Sequence, residues 1–109
     1  MSQPSQELTM TGTDVRIDEK IRIHVAEPKR WKVIILNDDA TSIEFVVSML
    51  MEVFNHTAET AADVTLKVHH EGSGIAGIYS FEIAEVKSVE ATNLARQNGF
   101  PLQIKVEEE

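Results

Sequence analysis

The spacing of apolar positions changes several times along this chain, and each change marks an element. The run WKVIIL is almost wholly apolar and rich in β-branched residues, which predicts a short buried strand over 31–36. It stops at Asn37-Asp38-Asp39, residues whose side chains favour turns by bonding to nearby backbone. Thr41-Ser42-Ile43-Glu44 matches a capping box and predicts a helix over 43–54. A second helix is expected over 58–71, closed by Gly72. GIAGIYS, residues 74–80, predicts a strand whose glycines let backbones approach closely. A third helix follows over 81–98, with Gly99 as its left-handed cap, then Pro101 and a last strand over 102–106. The order β-α-α-β-α-β predicts an α+β fold, a small three-stranded sheet with three helices packed on it.

Ahead of this pattern the chain reads differently. Residues 1–13 are rich in Ser, Thr and Gln and too polar to bury anything. Val15, Ile17, Ile21, Ile23 and Val25 mostly alternate with polar residues, which fits either an edge strand or an extended linker. The expected organisation is a flexible extension over 1–28 followed by one domain over 29–109.

Placing residues at 100° intervals refines two of the helices. On the first, only Glu44, Ser48 and Glu52 form a polar strip, about 80° wide. An ordinary surface helix needs an apolar stripe of roughly 100°, so this helix has apolar surface to spare. Either it is clamped between sheet and neighbouring helix, or part of the surplus lines a groove. On the second, Val64, Val68, Ala61, Thr65, His69, Ala62 and Leu66 fall on one arc, so His69 sits among apolar neighbours as core histidines do. His70 points away. The third helix carries Ala84, Ser88, Ala91 and Ala95 on one narrow stripe, which is packing.

Composition narrows what such a fold could do. The chain has 109 residues, enough for one domain with a modest core. There is no cysteine, so disulfides, thiolate catalysis and Cys-based zinc sites are excluded. No apolar run is long enough for a transmembrane helix. The opening residues MSQPSQELTMTGTD have neither the basic nor the apolar region of a signal peptide, and no basic, Ser-rich transit peptide either. A cytoplasmic location is expected. The net charge is −8, and all of it falls in residues 31–109, with five basic and thirteen acidic side chains. A nucleic-acid partner is therefore excluded, and a cationic ligand or surface is favoured.

The best candidate chemistry is Asn37-Asp38-Asp39 between a strand and a helix. Two carboxylates and an amide oxygen make an acceptor-rich corner that suits a protonated amine, which brings three donors. Set beside His69 and surplus apolar surface, it would form one end of an amphipathic pocket. A metal site is disfavoured because His69 and His70 point 100° apart and the acidic residues lack a ligand spacing. No nucleophile motif or phosphate-binding glycine loop is present, so neither an enzyme nor a cofactor is expected.

Three segments in order, KVIILNDDATSIEFVVSML, VHHEGSGIAGIYSFEIAEVK and ARQNGFPLQ, resemble the ClpS family of N-end-rule adaptors over residues 31–106. The resemblance implies a monomeric adaptor that binds a free α-amino group and a large hydrophobic first residue (Phe, Tyr, Trp or Leu). It would hand such N-degron substrates to a ClpA-type AAA+ unfoldase. Carried over by position, Asn37, Asp38 and His69 would hold the amine, Asp38 directly or through water. Asp39 and Thr41 would contact the first peptide unit or shape the rim. Ile43, Val46, Thr65, Val68 and Leu102 would line the side-chain pocket, and Glu82 and Lys87 would fall on the docking surface for the unfoldase. The N-terminal segment would be what the unfoldase engages.

This sequence departs from the family where Ala40 and Ser42 replace a common Tyr and Pro, and where Ile43 and Thr65 replace the usual Met. Isoleucine is stiff at χ1 and threonine is short and polar, so a reshaped pocket is expected, roomier near Thr65 and favouring aromatic first residues over Leu. The docking motif reads AEVK where AETK is common. A second reading is an interaction module of the same fold that modulates the unfoldase without reading N-termini.

Overall fold

The computed structural model describes residues 28–109. The predicted tail and the alternating segment over 15–25 lie outside the described residues. Six elements follow one another: β1 (Trp31–Leu36), α1 (Ile43–Phe54), α2 (Ala58–Glu71), β2 (Ser73–Tyr79), α3 (Phe81–Gln97) and β3 (Gln103–Glu108). The sheet order is β2-β1-β3, antiparallel throughout, so the most apolar strand is the central one. The predicted order and class hold, and strand boundaries shift by one or two residues.

β1 earns its central place from its side chains. Val33 and Ile35 are fully buried against the helices, while Ile34, on the opposite face by alternation, is also buried at 8 % exposure. Its cross-strand partners are Ile75 and Lys105. The pairing with β2 slips by one residue between Val33 and Ile34, leaving Ala76 as the extra residue. Such a bulge bends its strand and frees a carbonyl from the ladder. That of Ala76 accepts a 2.7 Å hydrogen bond from His56 Nε2, tying the α1–α2 turn to the sheet.

The helices begin and end where local chemistry allows. Ser42 caps α1, its hydroxyl accepting from Phe45 N–H at 3.1 Å. The expected capping box, with Thr41 as cap, is therefore displaced by one position, because the Thr41 hydroxyl is engaged by Asp38 instead. Thr57 caps α2 in the same manner through Thr60 N–H at 3.2 Å. At the far ends Asn55, Gly72 and Gly99 adopt left-handed conformations that turn the chain out of each helix.

α1 buries Val46, Met49, Leu50, Val53 and Phe54, the i, i+3, i+4, i+7, i+8 stripe of a helix pressed on a core. α3 crosses all three strands on the small stripe of Ala84, Ala91 and Ala95, each fully buried. α2 lies along β2, and their approach depends on Gly74. A Cβ at that position would stand 2.8 Å from Val68 Cγ2. Two aromatic contacts pin the corners: Trp31 meets Phe81 edge-on at 4.8 Å, and Phe45 meets Phe100 at 5.0 Å. The second holds the α3–β3 turn onto α1, which fixes where Leu102 enters the core.

Candidate functional site

The loop between β1 and α1 is built around one carboxylate. Asp38 Oδ1 accepts from the backbone N–H groups of Ala40 at 2.8 Å and Thr41 at 2.7 Å, and Oδ2 accepts from the Thr41 hydroxyl at 2.8 Å. A carboxylate offers about four acceptor sites, so roughly one remains for anything else. Just before it, Asn37 N–H donates to the Gly72 carbonyl at 2.9 Å, which fastens the loop to the end of α2. Burial pushes the Asp38 carboxyl up, but the Thr41 hydroxyl, the two N–H groups and the positive charge of Arg96 outweigh it. The net effect holds Asp38 below the ordinary carboxylate range, so it stays ionised.

Arg96 itself is held by its own contacts, donating to the carbonyls of Phe100 at 3.0 Å and Leu102 at 2.8 Å. One guanidinium thus orders the turn that delivers Leu102 and biases the charge of Asp38. Sequence reasoning missed this residue; a basic side chain in the last helical turn, just ahead of Pro101-Leu102, was the available signal.

Beneath the loop lies a pocket of about 250 Å³. That is below the roughly 300–1,000 Å³ typical for drug-sized ligands, and suits a single amino-acid residue. Its upper lining is polar: Asn37, Asp38, Asp39, Thr41 and His69. Its lower lining is Val46, Thr65, Val68 and Leu102, each buried to 6 % exposure or less. Ile43 sits at the mouth at 49 % exposure, and Leu36 completes the wall. All ten predicted pocket residues are thus brought together, from a loop, two helices and the residue that precedes β3. Leu36 was not foreseen, because it is the one residue of β1 on the outward alternation that reaches the strand's end.

His69 corrects the first reading of α2. It is exposed rather than a core histidine, and so are Ala62 and Leu66, so the buried stripe of this helix reduces to Ala61, Thr65 and Val68. The His69 ring stands at the pocket edge with His70 edge-on at 5.3 Å. The surplus apolar surface of α1 divides: Val46 and Ile43 line the pocket, while Met51 stays exposed at 41 %.

The two residues expected on a docking surface lie elsewhere, on α3. Glu82 is exposed in the first turn. Lys87 is half-buried and does structural work, donating to the Val53 carbonyl at 2.7 Å and standing 5.6 Å from the Tyr79 ring centre. It thereby satisfies one of the orphan carbonyls at the end of α1. Among the described residues, no helix is long and apolar enough to cross a membrane, and no three His, Asp or Glu side chains gather as metal ligands would.

With the geometry in hand, the chain can be set beside known proteins. The family model described as ATP-dependent Clp protease adaptor protein ClpS matches residues 26–105. A relative named ATP-dependent Clp protease adapter protein ClpS, from Wolinella succinogenes, is 46 % identical over 97 residues, covering 89 % of this chain and 95 % of its own. One of the same name from Campylobacter jejuni is 49 % identical over 85 residues, covering 78 % and 88 %. The solved structure of Agrobacterium tumefaciens ClpS2 bound to L-phenylalaninamide is 41 % identical with a TM-score of 0.74, and covers 76 % of this chain and 100 % of that one.

Proposed function

The chain belongs to the ClpS family of Clp protease adaptors, and from that premise we propose that it reads the first residue of its substrates. The pocket would take the free α-amino group and the large hydrophobic side chain of an N-degron beginning with Phe, Tyr, Trp or Leu. The substrate would then pass to a ClpA-type AAA+ unfoldase.

One observation carries the reading: a single pocket has an acceptor-rich mouth and an apolar floor. A first residue presents the matching pair, an ammonium next to an apolar side chain. The solved relative holds L-phenylalaninamide, which has a free amine, a benzyl side chain and the start of a peptide unit. In this chain Asn37, Asp38 and His69 would receive the amine. Asp39 and Thr41 would border the first peptide unit, and Ile43, Val46, Thr65, Val68 and Leu102 would enclose the side chain. With its remaining acceptor site, Asp38 would take one donor directly or through a water.

Magnitudes agree with a working adaptor. An α-amino group has a pKa of about 7.7–8.0, so it is largely protonated at neutral pH. Hydrogen bonds to a charged group are worth roughly 1.5–3 kcal/mol each, and burying a Leu or Phe side chain roughly 1.5–3 kcal/mol more. After the cost of association, a net of about −8 kcal/mol corresponds to micromolar binding.

The test is fluorescence anisotropy with a labelled peptide that begins with free Phe, beside its N-acetylated twin. Binding of the free peptide alone is expected. Equal binding of both peptides, or none to Phe, Leu, Tyr or Trp peptides, would refute the reading and favour an interaction module that does not read N-termini. Docking is tested separately with Glu82→Lys, because Glu82 is exposed and Lys87 is committed to the fold. Loss of unfoldase-dependent substrate degradation with peptide binding retained is the expected result.

A further inference from the structure

Thr65 is the one polar residue buried in the core among those described, at 4 % exposure, and it lies in the floor of the pocket. Its hydroxyl donates to the carbonyl of Ala61, one turn back on α2, at 2.7 Å. A hydroxyl has a single proton and two lone pairs. With the proton committed to Ala61, the oxygen can only accept from any other group. A ligand that brings a donor to this oxygen gains a hydrogen bond that a ligand without one does not.

The direction of a bound residue decides which ligand does so. If the amine is held at the mouth by Asn37, Asp38 and His69, the side chain runs inward, and the atom farthest from the α-carbon arrives at the floor. For tyrosine that atom is the para hydroxyl, a donor. Phenylalanine has the same ring and no donor there, and leucine has none either. We infer that the Thr65 oxygen is a specificity-determining acceptor that receives the phenol O–H, so that N-terminal tyrosine is favoured over phenylalanine and leucine. The inference rests on the reading that this pocket takes a first residue, and it adds the chemistry that ranks those residues.

It also accounts for the residue type. A valine at position 65 would fill the same volume and complete an apolar floor. Against that floor a tyrosine hydroxyl would be stripped of water with nothing to bond. Threonine keeps the shape of valine and supplies the acceptor.

The experiment compares two peptides that differ only in Tyr or Phe at position one, titrated against the wild-type protein, Thr65→Val and Thr65→Ser. The quantity read is the ratio of Tyr to Phe affinity, which cancels changes in pocket shape common to both ligands. Wild type is expected to bind Tyr more tightly than Phe. Thr65→Val should reduce the ratio roughly 2- to 12-fold, the worth of one net hydrogen bond. Thr65→Ser keeps the oxygen and should keep most of the ratio, and a shift in Thr65→Val that serine rescues assigns the effect to the hydroxyl. A ratio unchanged in Thr65→Val, or a wild type that prefers Phe, overturns the inference while leaving first-residue binding intact. Failure of wild type to bind either peptide overturns both.

Discussion

On the proposed reading Asp38 serves two tasks with one carboxylate, shaping the loop and receiving the amine, and two substitutions separate them. Asp38→Asn keeps a carbonyl oxygen for the N–H groups of Ala40 and Thr41, and its amide can still donate to the Thr41 hydroxyl oxygen. The loop should survive and only the negative charge is lost. A hydrogen bond to a charged group is worth roughly 1.5–3 kcal/mol against roughly 0.5–1.5 for a neutral one, so amine binding should weaken by about 1–1.5 kcal/mol, or roughly 5- to 13-fold. Asp38→Ala removes all three loop bonds as well as the charge. Binding should then fall roughly 10- to 150-fold, and stability by about 2 kcal/mol because Thr41 N–H is partly buried.

The same pair has a pH signature. A carboxyl held below its unfolded pKa contributes stability above that unfolded value, about 3.9, and the contribution is lost as pH falls through the folded value. Wild type should lose its margin over Asp38→Asn as pH drops below about 4. Anisotropy titration with a free-amine Phe peptide, paired with thermal denaturation across pH, measures both tasks. If Asp38→Asn binds as wild type does, the carboxylate only shapes the loop. If Asp38→Ala matches Asp38→Asn in both affinity and Tm, the three loop bonds do not hold the site.

Other perturbations probe the scaffold. Gly74→Ala places a methyl 2.8 Å from Val68 Cγ2, and overpacking of this kind costs about 1–3 kcal/mol. The entropy gain of about 0.4–1 kcal/mol offsets part of it, so a Tm lowered by roughly 4–8 °C is expected; an unchanged Tm would show that α2 need not approach β2 so closely. Lys87→Met leaves the Val53 carbonyl without its donor and should cost about 1.5 kcal/mol in chemical denaturation. Val68→Asp buries an unpaired carboxylate in the floor and should destroy both folding and peptide binding, visible as lost near-UV circular dichroism.

Much of the fold is legible in the sequence alone. Element order and helix bounds are readable from periodicity and from Gly72 and Gly99, whose left-handed conformations end their helices by a mechanism that needs only neighbouring residues. The resemblance points to ten residues, and these line a single pocket. What stayed hidden depends on distant partners. A helical arc of seven residues could not reveal that only three are buried, since that depends on where β2 lies. The capping position moved because Asp38, three residues upstream, competes for Thr41. Lys87 looked like a surface charge, and its tie to Val53 spans 34 positions of sequence. The positive charge of Arg96 bears on Asp38 from 58 positions away in sequence, a pairing that only the fold reveals.

The pocket floor is assembled from Val46, Thr65 and Val68 near the middle of the chain and Leu102 close to its far end. During synthesis, the loop and both α1 and α2 emerge well before Leu102 does. A nascent chain therefore carries the polar mouth without a closed floor, and until β3 pairs with β1 it also lacks one side of its sheet. The pocket can close only once Leu102 has emerged and the strand that follows it can dock.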